Sequence, residues 1–231
     1  MNRYGLIGYP LTHSFSKEFF TRKFAAENIP DAVYENFSLP DLSSFPSLID
    51  ENQELKGLNV TIPYKQQILP FLDRLDITAA AVGAVNTIRV KDSLLIGYNT
   101  DIAGFEKSFT PLLQKSYSGA LILGTGGSAA AVSWVLQKIK LPYVFISRKP
   151  ADDHILSYAD ITEELLLSYS VIINCTPVGM YPDVQACPDI PYEMLSSNNL
   201  LFDLIYNPDP SVFLQKGTAA GAVVKLSLIH I

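Results

Sequence analysis

One segment of the sequence, ALILGTGGSAAAVSWVLQKI at residues 120–139, restricts the possible folds more than any other. A continuous apolar run ends at Gly124, a tight glycine turn follows, and apolar residues then recur at helical spacing from Ala129. Continuous apolar runs are typical of strands that are buried on both faces, as in parallel sheets with helices packed on them. The segment therefore predicts a strand, a turn and a helix within a parallel α/β sheet.

Short apolar runs alternate with helical patterns along the rest of the chain, as in α/β proteins. The predicted strands are RYGLIG, AVYENFSL, GLNVTIP, AVNTIRV and LLIGYN in the first half, and GALILGTG, PYVFIS, SVIINCT and LLFDLIY in the second. The predicted helices include SKEFFTRKFAAENI and DITAAAVGA, and a further helix in GYNTDIAGFEKSF joins the two halves. We predict an α/β fold with two domains: residues 1–102 with a mostly parallel sheet, and residues 103–231 of Rossmann type.

Composition argues against several classes of protein. The 231 residues are 48% hydrophobic, which is enough for a sizeable core, and the net charge of -6 offers no basic surface for nucleic acid or an anionic membrane. No stretch approaches the roughly 18 apolar residues that a membrane span requires, and we expect no targeting signal. Cys175 and Cys187 lack metal-ligand spacing, so we expect no metal and a reducing, cytoplasmic environment.

The glycine turn has the pattern G-x-G-x-x-A between a strand and a helix. Gly124 permits a sharp turn, Gly126 leaves room for a pyrophosphate, and Ala129 allows the helix to pack closely on the strand. Gly127 and Ser128 open the helix, where backbone N–H groups and the helix dipole favour phosphate. The alternative is an ordinary strand-to-helix turn, but the context favours nucleotide binding.

The residues after the next strand indicate which nucleotide is bound. An NAD-binding unit carries a carboxylate there to accept hydrogen bonds from the ribose hydroxyls. This chain has Ser147, Arg148 and Lys149 instead, and two cations suit the 2′-phosphate of NADP. The alternative is that both cations are solvated surface charges. We predict NADP as the cofactor.

The first half carries polar residues close to the ends of its predicted strands, in the order Ser14, Ser16, Thr61, Lys65, Asn86 and Asp101. Serine hydroxyls beside a helix N-terminus could hold a carboxylate. Each residue also has a simpler interpretation: Ser16 as an N-cap, Asn86 as a turn residue, Asp101 as an N-cap. Lys65 could be a surface cation, but a lysine at a helix start is slightly unfavourable, which hints at a partner.

Taken together, these motifs resemble those of the shikimate dehydrogenase family. GYPLTHSFS, LNVTIPYK, GAVNTI, GYNTDIAGF, LGTGGSAAA, NCTPVGM and DLIYNP stand in the order and approximate spacing of that family, over about residues 4 to 225. The resemblance implies NADP-dependent interconversion of 3-dehydroshikimate and shikimate in aromatic amino-acid biosynthesis.

The resemblance also implies roles for individual residues. Lys65 and Asp101 match the catalytic pair, with Lys65 as the proton donor during reduction and Asp101 orienting it. The residues that match the substrate site are Ser14, Ser16, Thr61, Asn86 and Tyr206. The residues that match the NADP site are Gly124, Gly126, Gly127, Ser128, Ala129, Ser147, Arg148, Lys149, Thr176 and Leu204. Lys149 replaces a threonine that is frequent in the family.

The resemblance stops in GAVVKLSLIHI, after about residue 225. The family continues there with a glycine turn and a helix that carries a glutamine toward the substrate. We interpret the ending as altered or truncated, with a divergent but complete end as the alternative, and expect NADP binding with weak shikimate turnover.

Two other functions stay open at this point. A quinate/shikimate dehydrogenase would use similar motifs, and a non-catalytic NADP-binding module could retain the same fold. We expect a small-molecule substrate, neither a nucleic-acid nor a membrane partner, and a monomer or homodimer.

Overall fold

The computed structural model describes residues 1–12, 15–151, 153–205 and 207–227. These residues form two compact units, and the chain passes from one to the other between Thr100 and Asp101. The sequence analysis placed the boundary after residue 102, which lies inside the first helix of the second unit.

The first unit contains a mixed sheet and three α-helices among its described residues. Its strands are β1 (Asn2–Gly8), β2 (Ala32–Ser38), β3 (Leu55–Val60), β4 (Arg74–Leu75), β5 (Thr87–Lys91) and β6 (Leu94–Tyr98). Its helices are α1 (Ser16–Ala26), α2 (Phe45–Glu51) and α3 (Ile77–Val82). The strand order is β2-β1-β3-β5-β6-β4. Strand β1 is parallel to β2 and β3, and β4 is parallel to β6, whereas β5 is antiparallel to β3 and β6.

Local sequence signals explain where several of these elements begin and end. Asp76 caps α3 by accepting a hydrogen bond from the backbone N–H of Thr78, and the helix ends at Gly83 in the left-handed conformation. Asp92 and Ser93, which connect β5 to β6, both have positive φ, as the tightest hairpins require. The antiparallel part of the sheet is therefore specified by its own turn.

The second unit is a fully parallel sheet with helices between its strands. Its strands are β7 (Ala120–Leu123), β8 (Tyr143–Ile146), β9 (Ile155–Leu156), β10 (Val171–Asn174), β11 (Leu200–Asp203) and β12 (Val223–Leu226). Its helices are α4 (Asp101–Phe109), α5 (Gly127–Lys138), α6 (Glu163–Ser168) and α7 (Val212–Ala219). Strands β7, β10 and β11 are buried along their whole length, which explains their continuous apolar sequences.

The strand order of this sheet is β12-β11-β10-β7-β8-β9. The chain therefore builds outward from β7 in one direction and then returns to build outward from β10 in the other. This is the order of a doubly wound, Rossmann-type sheet, with its topological switch point between β7 and β10. The predicted fold class is confirmed.

Some elements differ from the prediction. The predicted strand GLNVTIP runs through Pro63, but β3 ends at Val60 and Ile62 is 48% exposed. Pro63 has no backbone N–H to donate, so the pairing cannot continue through that position. The sequence analysis also missed β4, β9 and β12. Strands β4 and β9 contain two residues each, which is too short to give a periodic pattern.

The C-terminal stretch GAVVKLSLIHI contains β12, which pairs in parallel with β11. The strand includes Lys225 and Leu226, so regular structure continues beyond Val224. Residues 228–231 lie outside the part of the chain that the structure describes.

Candidate active site

The sheet of the first unit collects polar residues at one edge. Strands β1 and β3 are parallel and end there, β6 also ends there, and the antiparallel β5 begins there. Thr61 and Lys65 follow β3, Asn86 precedes β5, and Thr100 follows β6. The topology therefore brings together residues that are far apart in sequence.

Lys65 lies in the turn after β3 and is buried, with 7% of its surface exposed. Its backbone carbonyl accepts a hydrogen bond from the N–H of Val85 at 2.7 Å, which ties this turn to the residues before β5. A buried ammonium is costly unless it has a partner. The interpretation of Lys65 as a solvated surface cation at a helix start is therefore wrong.

Asn86 is also buried, and hydrogen bonds fix the orientation of its side-chain amide. Its Oδ1 accepts from the backbone N–H of Thr100 at 2.8 Å, and its Nδ2 donates to Thr100 Oγ1 at 2.9 Å. The hydroxyl of Thr87 donates to the same Oδ1 at 3.2 Å. Asn86 is thus more than a turn residue, because its amide is held in one orientation.

These contacts belong to a longer network that crosses the sheet. Asn59 Nδ2 donates to Thr87 Oγ1 at 3.3 Å, and Tyr34 Oη donates to Asn59 Oδ1 at 2.7 Å. Ser16, the first residue of α1, hydrogen-bonds to the same tyrosine. Burial raises the pKa of Tyr34 and the Ser16 hydrogen bond opposes that rise. Tyr34 therefore stays protonated and keeps its role as a donor.

The sheet of the second unit ends in a glycine turn. Gly124, directly after β7, has φ of +102°, a conformation that favours glycine. Gly126 has extended backbone, and a Cβ placed on it would meet no atom within 4 Å. Helix α5 begins at Gly127, and Ala129 is fully buried. The turn therefore has the open backbone and the close helix packing that the sequence pattern predicts.

The residues predicted to hold the 2′-phosphate follow β8 at the same edge of this sheet. The Ser147 hydroxyl and Lys149 bond each other locally, with the N–H of Lys149 donating to Ser147 Oγ over 3.2 Å. Arg148 and Lys149 are exposed. Burial raises the pKa of Tyr158, and the charge of Arg148 opposes that rise, so the guanidinium lies near this ring.

Thr176 follows β10, in a turn built on a buried amide. Asn174 Oδ1 accepts from both the backbone N–H of Thr176 at 3.0 Å and its hydroxyl at 2.6 Å. A Cβ on Gly124 would lie 3.1 Å from Thr176 Cγ2, so this turn reaches the glycine turn across the switch point. Leu204, after β11, is buried, and its N–H donates to the Asn174 carbonyl at 3.1 Å.

Comparisons with known proteins identify the family. Residues 6–88 match the family model of the shikimate dehydrogenase substrate binding domain. The chain is 33% identical over 237 residues to shikimate dehydrogenase (NADP(+)) of Methanococcus vannielii, covering 94% of this chain and 82% of that protein. This chain belongs to the shikimate dehydrogenase family.

Solved structures of shikimate dehydrogenases have the same fold. Shikimate dehydrogenase 1 from Peptoclostridium difficile superimposes with a TM-score of 0.83 at 33% identity, covering 97% of this chain and 86% of that one. The Thermus thermophilus enzyme, in complex with NADP(H) and shikimate, gives a TM-score of 0.80 at 29% identity, covering 97% and 87%. The predicted resemblance to the shikimate dehydrogenase family is confirmed.

The family resemblance also names four residues that have not yet been placed. Ser128 is the second residue of α5. Asp101 is the first residue of α4 and is 1% exposed. A carboxylate in the first turn of a helix is favoured by the helix dipole. Ser14 and Tyr206 lie outside the described residues.

Sequence reasoning missed several residues whose side chains orient the candidate site residues. Tyr34, Asn59 and Thr87 were not candidates, although Asn59 stands inside the quoted motif LNVTIPYK. Asn174 and Asp203 also stand inside quoted motifs, at the ends of β10 and β11. The signal that could have found them is a polar residue closing an otherwise apolar strand.

The described residues show neither a metal site nor a membrane helix. No group of three or more His, Cys, Asp or Glu side chains among them is placed to hold a metal ion. No helix in the described ranges is both long and apolar enough to cross a bilayer.

Proposed function

We propose that this protein catalyses the NADPH-dependent reduction of 3-dehydroshikimate to shikimate, a step toward chorismate and the aromatic amino acids. The observation that carries the proposal is the buried Lys65, at the same sheet edge as the oriented amide of Asn86. The NADP(+)-dependent shikimate dehydrogenases named above support the substrate and the cofactor. The domain roles follow: residues 1–102 hold shikimate and residues 103–231 hold NADP.

The second unit fits NADP. The open space at Gly126 admits a pyrophosphate close to the backbone, and α5 begins at Gly127 with the end of a helix that favours phosphate. Arg148 and Lys149 are accessible for a 2′-phosphate. NADPH supplies the hydride when it is bound.

Residues 1–102 supply the groups that act on the substrate. Lys65 gives a proton to the carbonyl oxygen as that oxygen gains negative charge, so a ketone becomes an alcohol. In the oxidative direction the same amine takes the proton back. Asp101 orients the ammonium and holds a ring hydroxyl.

Neutral side chains bind the remaining polar groups of the substrate. Thr61 and Asn86 hold ring hydroxyls, and the fixed amide of Asn86 suits a hydroxyl in one position better than in others. Ser16 holds the carboxylate, and the family resemblance alone assigns Ser14 to the carboxylate and Tyr206 to the substrate and nicotinamide. The NADP site is completed by Ser128, Ser147, Thr176 and Leu204.

The proposal is tested by the absorbance of NADPH formed when shikimate and NADP are added. We expect a shikimate-dependent rate above the rate without enzyme, and a lower kcat/KM with quinate or with NAD. A higher kcat/KM with quinate would make the protein a quinate/shikimate dehydrogenase. NADP binding without any turnover of either acid would make it a non-catalytic NADP-binding module.

The expected setting is a cytoplasm, where shikimate and NADP are both available. We propose a monomer or homodimer, and measurement of the molar mass in solution by light scattering decides between them.

A further inference from the structure

Asp203 is a buried acid that the proposed reaction does not use. It ends β11, directly opposite Asn174 at the end of β10, and neither residue has any exposed surface. Three donors contact its carboxylate: Asn174 Nδ2 at 3.0 Å, the backbone N–H of Ile205 at 3.1 Å, and the hydroxyl of Ser211. An ionised carboxylate suits this buried position, because both of its oxygens accept hydrogen bonds and together they satisfy all three donors.

The contact with Asp203 helps to fix which way the amide of Asn174 faces. Because Nδ2 donates to Asp203, Oδ1 must face the opposite side, where it accepts the N–H and the hydroxyl of Thr176. The Thr176 oxygen in turn accepts from the backbone N–H of Val178 at 3.2 Å. Asn174 Nδ2 also lies 3.4 Å from the carbonyl oxygen of Val178, a longer contact than the one to Asp203. The turn after β10 is therefore held by an amide whose NH₂ group makes its shorter hydrogen bond to β11.

This turn lies against the dinucleotide-binding turn. The position that a Cβ of Gly124 would occupy is 3.1 Å from Thr176 Cγ2. Gly124 begins the βα turn at the switch point, where doubly wound sheets bind dinucleotides. A chain of contacts thus runs from Asp203 through Asn174 and Thr176 to the glycine turn.

We propose that Asp203 is a positioning residue for NADP, which acts through the amide of Asn174 to fix the Thr176 turn against Gly124. This inference rests on the proposed use of NADP but not on the identity of the substrate. If the side-chain amide of Asn174 rotated by half a turn, its NH₂ group would face the two donors of Thr176. The Thr176 turn would then have to move away.

The proposal is tested with Asp203→Ala, which removes the oxygen that accepts from Asn174 Nδ2. Asp203→Asn would not serve, because its amide oxygen could keep that contact while its NH₂ group donates to the hydroxyl of Ser211. Titration calorimetry with NADP at a pH of about 8 keeps the carboxylate of the unsubstituted protein ionised, because burial raises the pKa of Asp203 only to about 6. We expect the Kd for NADP to rise about tenfold, as for the loss of one oriented hydrogen-bonded group.

Ser211→Ala is the matched control. Ser211 bonds the other carboxylate oxygen and caps α7, so its loss lowers the melting temperature without freeing the amide of Asn174. We expect its Kd for NADP to stay within about twofold of the original. An equal rise in Kd for both variants would mean that Asp203 acts only through stability, and would overturn the proposal.

Thr176→Val keeps the inference testable if Asp203→Ala does not fold, because it removes the far end of the same chain of contacts. We expect a rise in Kd similar to that of Asp203→Ala, and the double variant should bind NADP no more weakly than either single variant. Unchanged NADP affinity in Thr176→Val, additive effects in the double variant, or no NADP binding by the unsubstituted protein would each contradict the proposal. NADP binding with this pattern but without shikimate turnover would overturn only the proposed reaction.

Discussion

The two units of this protein hold their binding groups in different ways. In the first unit, side chains position one another: Tyr34, Asn59, Thr87 and Asn86 form a continuous series of hydrogen bonds across the sheet. In the second unit, the candidate site is mainly backbone: a glycine turn and the start of α5, with Thr176 held beside it.

The difference follows from what each unit is proposed to bind. A ring with several hydroxyls is distinguished from its relatives by donors and acceptors in fixed orientations, which amide and hydroxyl side chains provide. A pyrophosphate is bound by backbone N–H groups, so the main requirement is the absence of side chains. Removing side chains should therefore damage the first site most, and adding them should damage the second.

Removal of Lys65 should have the largest effect. In Lys65→Ala, the oxygen that gains charge loses its proton donor, so we expect kcat to fall by at least about 100-fold, with a smaller change in KM for shikimate. Steady-state kinetics in the oxidative direction measure both values. Lys56→Ala, at an exposed position on β3, is the control and should be unaffected. Near-normal kcat in Lys65→Ala would show that another group transfers the proton.

Removal of Arg148 should have an intermediate effect, confined to one cofactor. A charge-assisted hydrogen bond to phosphate is worth about 1.5–3 kcal/mol, so the KM for NADP in Arg148→Ala should rise at least about tenfold. The KM for NAD should hardly change, because NAD has no 2′-phosphate. Arg89→Ala, at an exposed position on β5, serves as the control. An equal loss with both cofactors would mean that Arg148 is structural, and that the alternative of a solvated charge holds for the phosphate site.

Substitution of Asp203 should have the smallest of these effects, a change in how the free energy of unfolding depends on pH. Burial raises its pKa to about 6, although hydrogen bonds from Ser211, Ile205 and Asn174 oppose the rise. Between about pH 4 and pH 6, the carboxyl of Asp203 is therefore protonated in the folded protein but ionised in the unfolded chain. Binding this proton stabilises the folded protein, and the stabilisation is lost as pH rises through about 6. Between about pH 5 and pH 7.5, the loss should be about 1 kcal/mol.

Urea unfolding of the original protein and of Asp203→Asn at both pH values measures this contribution by difference. The subtraction is needed because hydrogen bonds lower the pKa of Asp41, Asp76 and Asp160, which gives the opposite pH dependence. Parallel changes in the two proteins would show that the carboxyl of Asp203 does not titrate in this range.

Much of the fold could be predicted because its signals are local. The apolar runs of β7, β10 and β11 and the glycine turn after β7 each lie within a few residues of sequence. Strand β3 was extended too far because Thr61 and Ile62 favour strands, whereas Pro63 cannot continue the pairing.

The hydrogen-bond networks could not be predicted in the same way. Tyr34 lies 25 residues from Asn59, and Asn59 lies 28 residues from Thr87, so their contact depends on the strand order. The same holds for Asn174 and Asp203, which are 29 residues apart and meet only because β10 pairs with β11. Sequence motifs indicated the residues proposed to contact the ligands, while topology was needed to find those that orient them.

The division of roles between the two units is tested most directly by Gly126→Val. A Cβ at this position meets no atom within 4 Å and the backbone has no unusual φ, so the protein should fold normally. Calorimetric titration of this variant with NADP and, separately, with shikimate measures both sites. We expect the Kd for NADP to rise by roughly 30-fold or more, because the side chain fills the space for the pyrophosphate, and the Kd for shikimate to stay unchanged. Unchanged NADP affinity, or an equal loss of affinity for shikimate, would contradict the account.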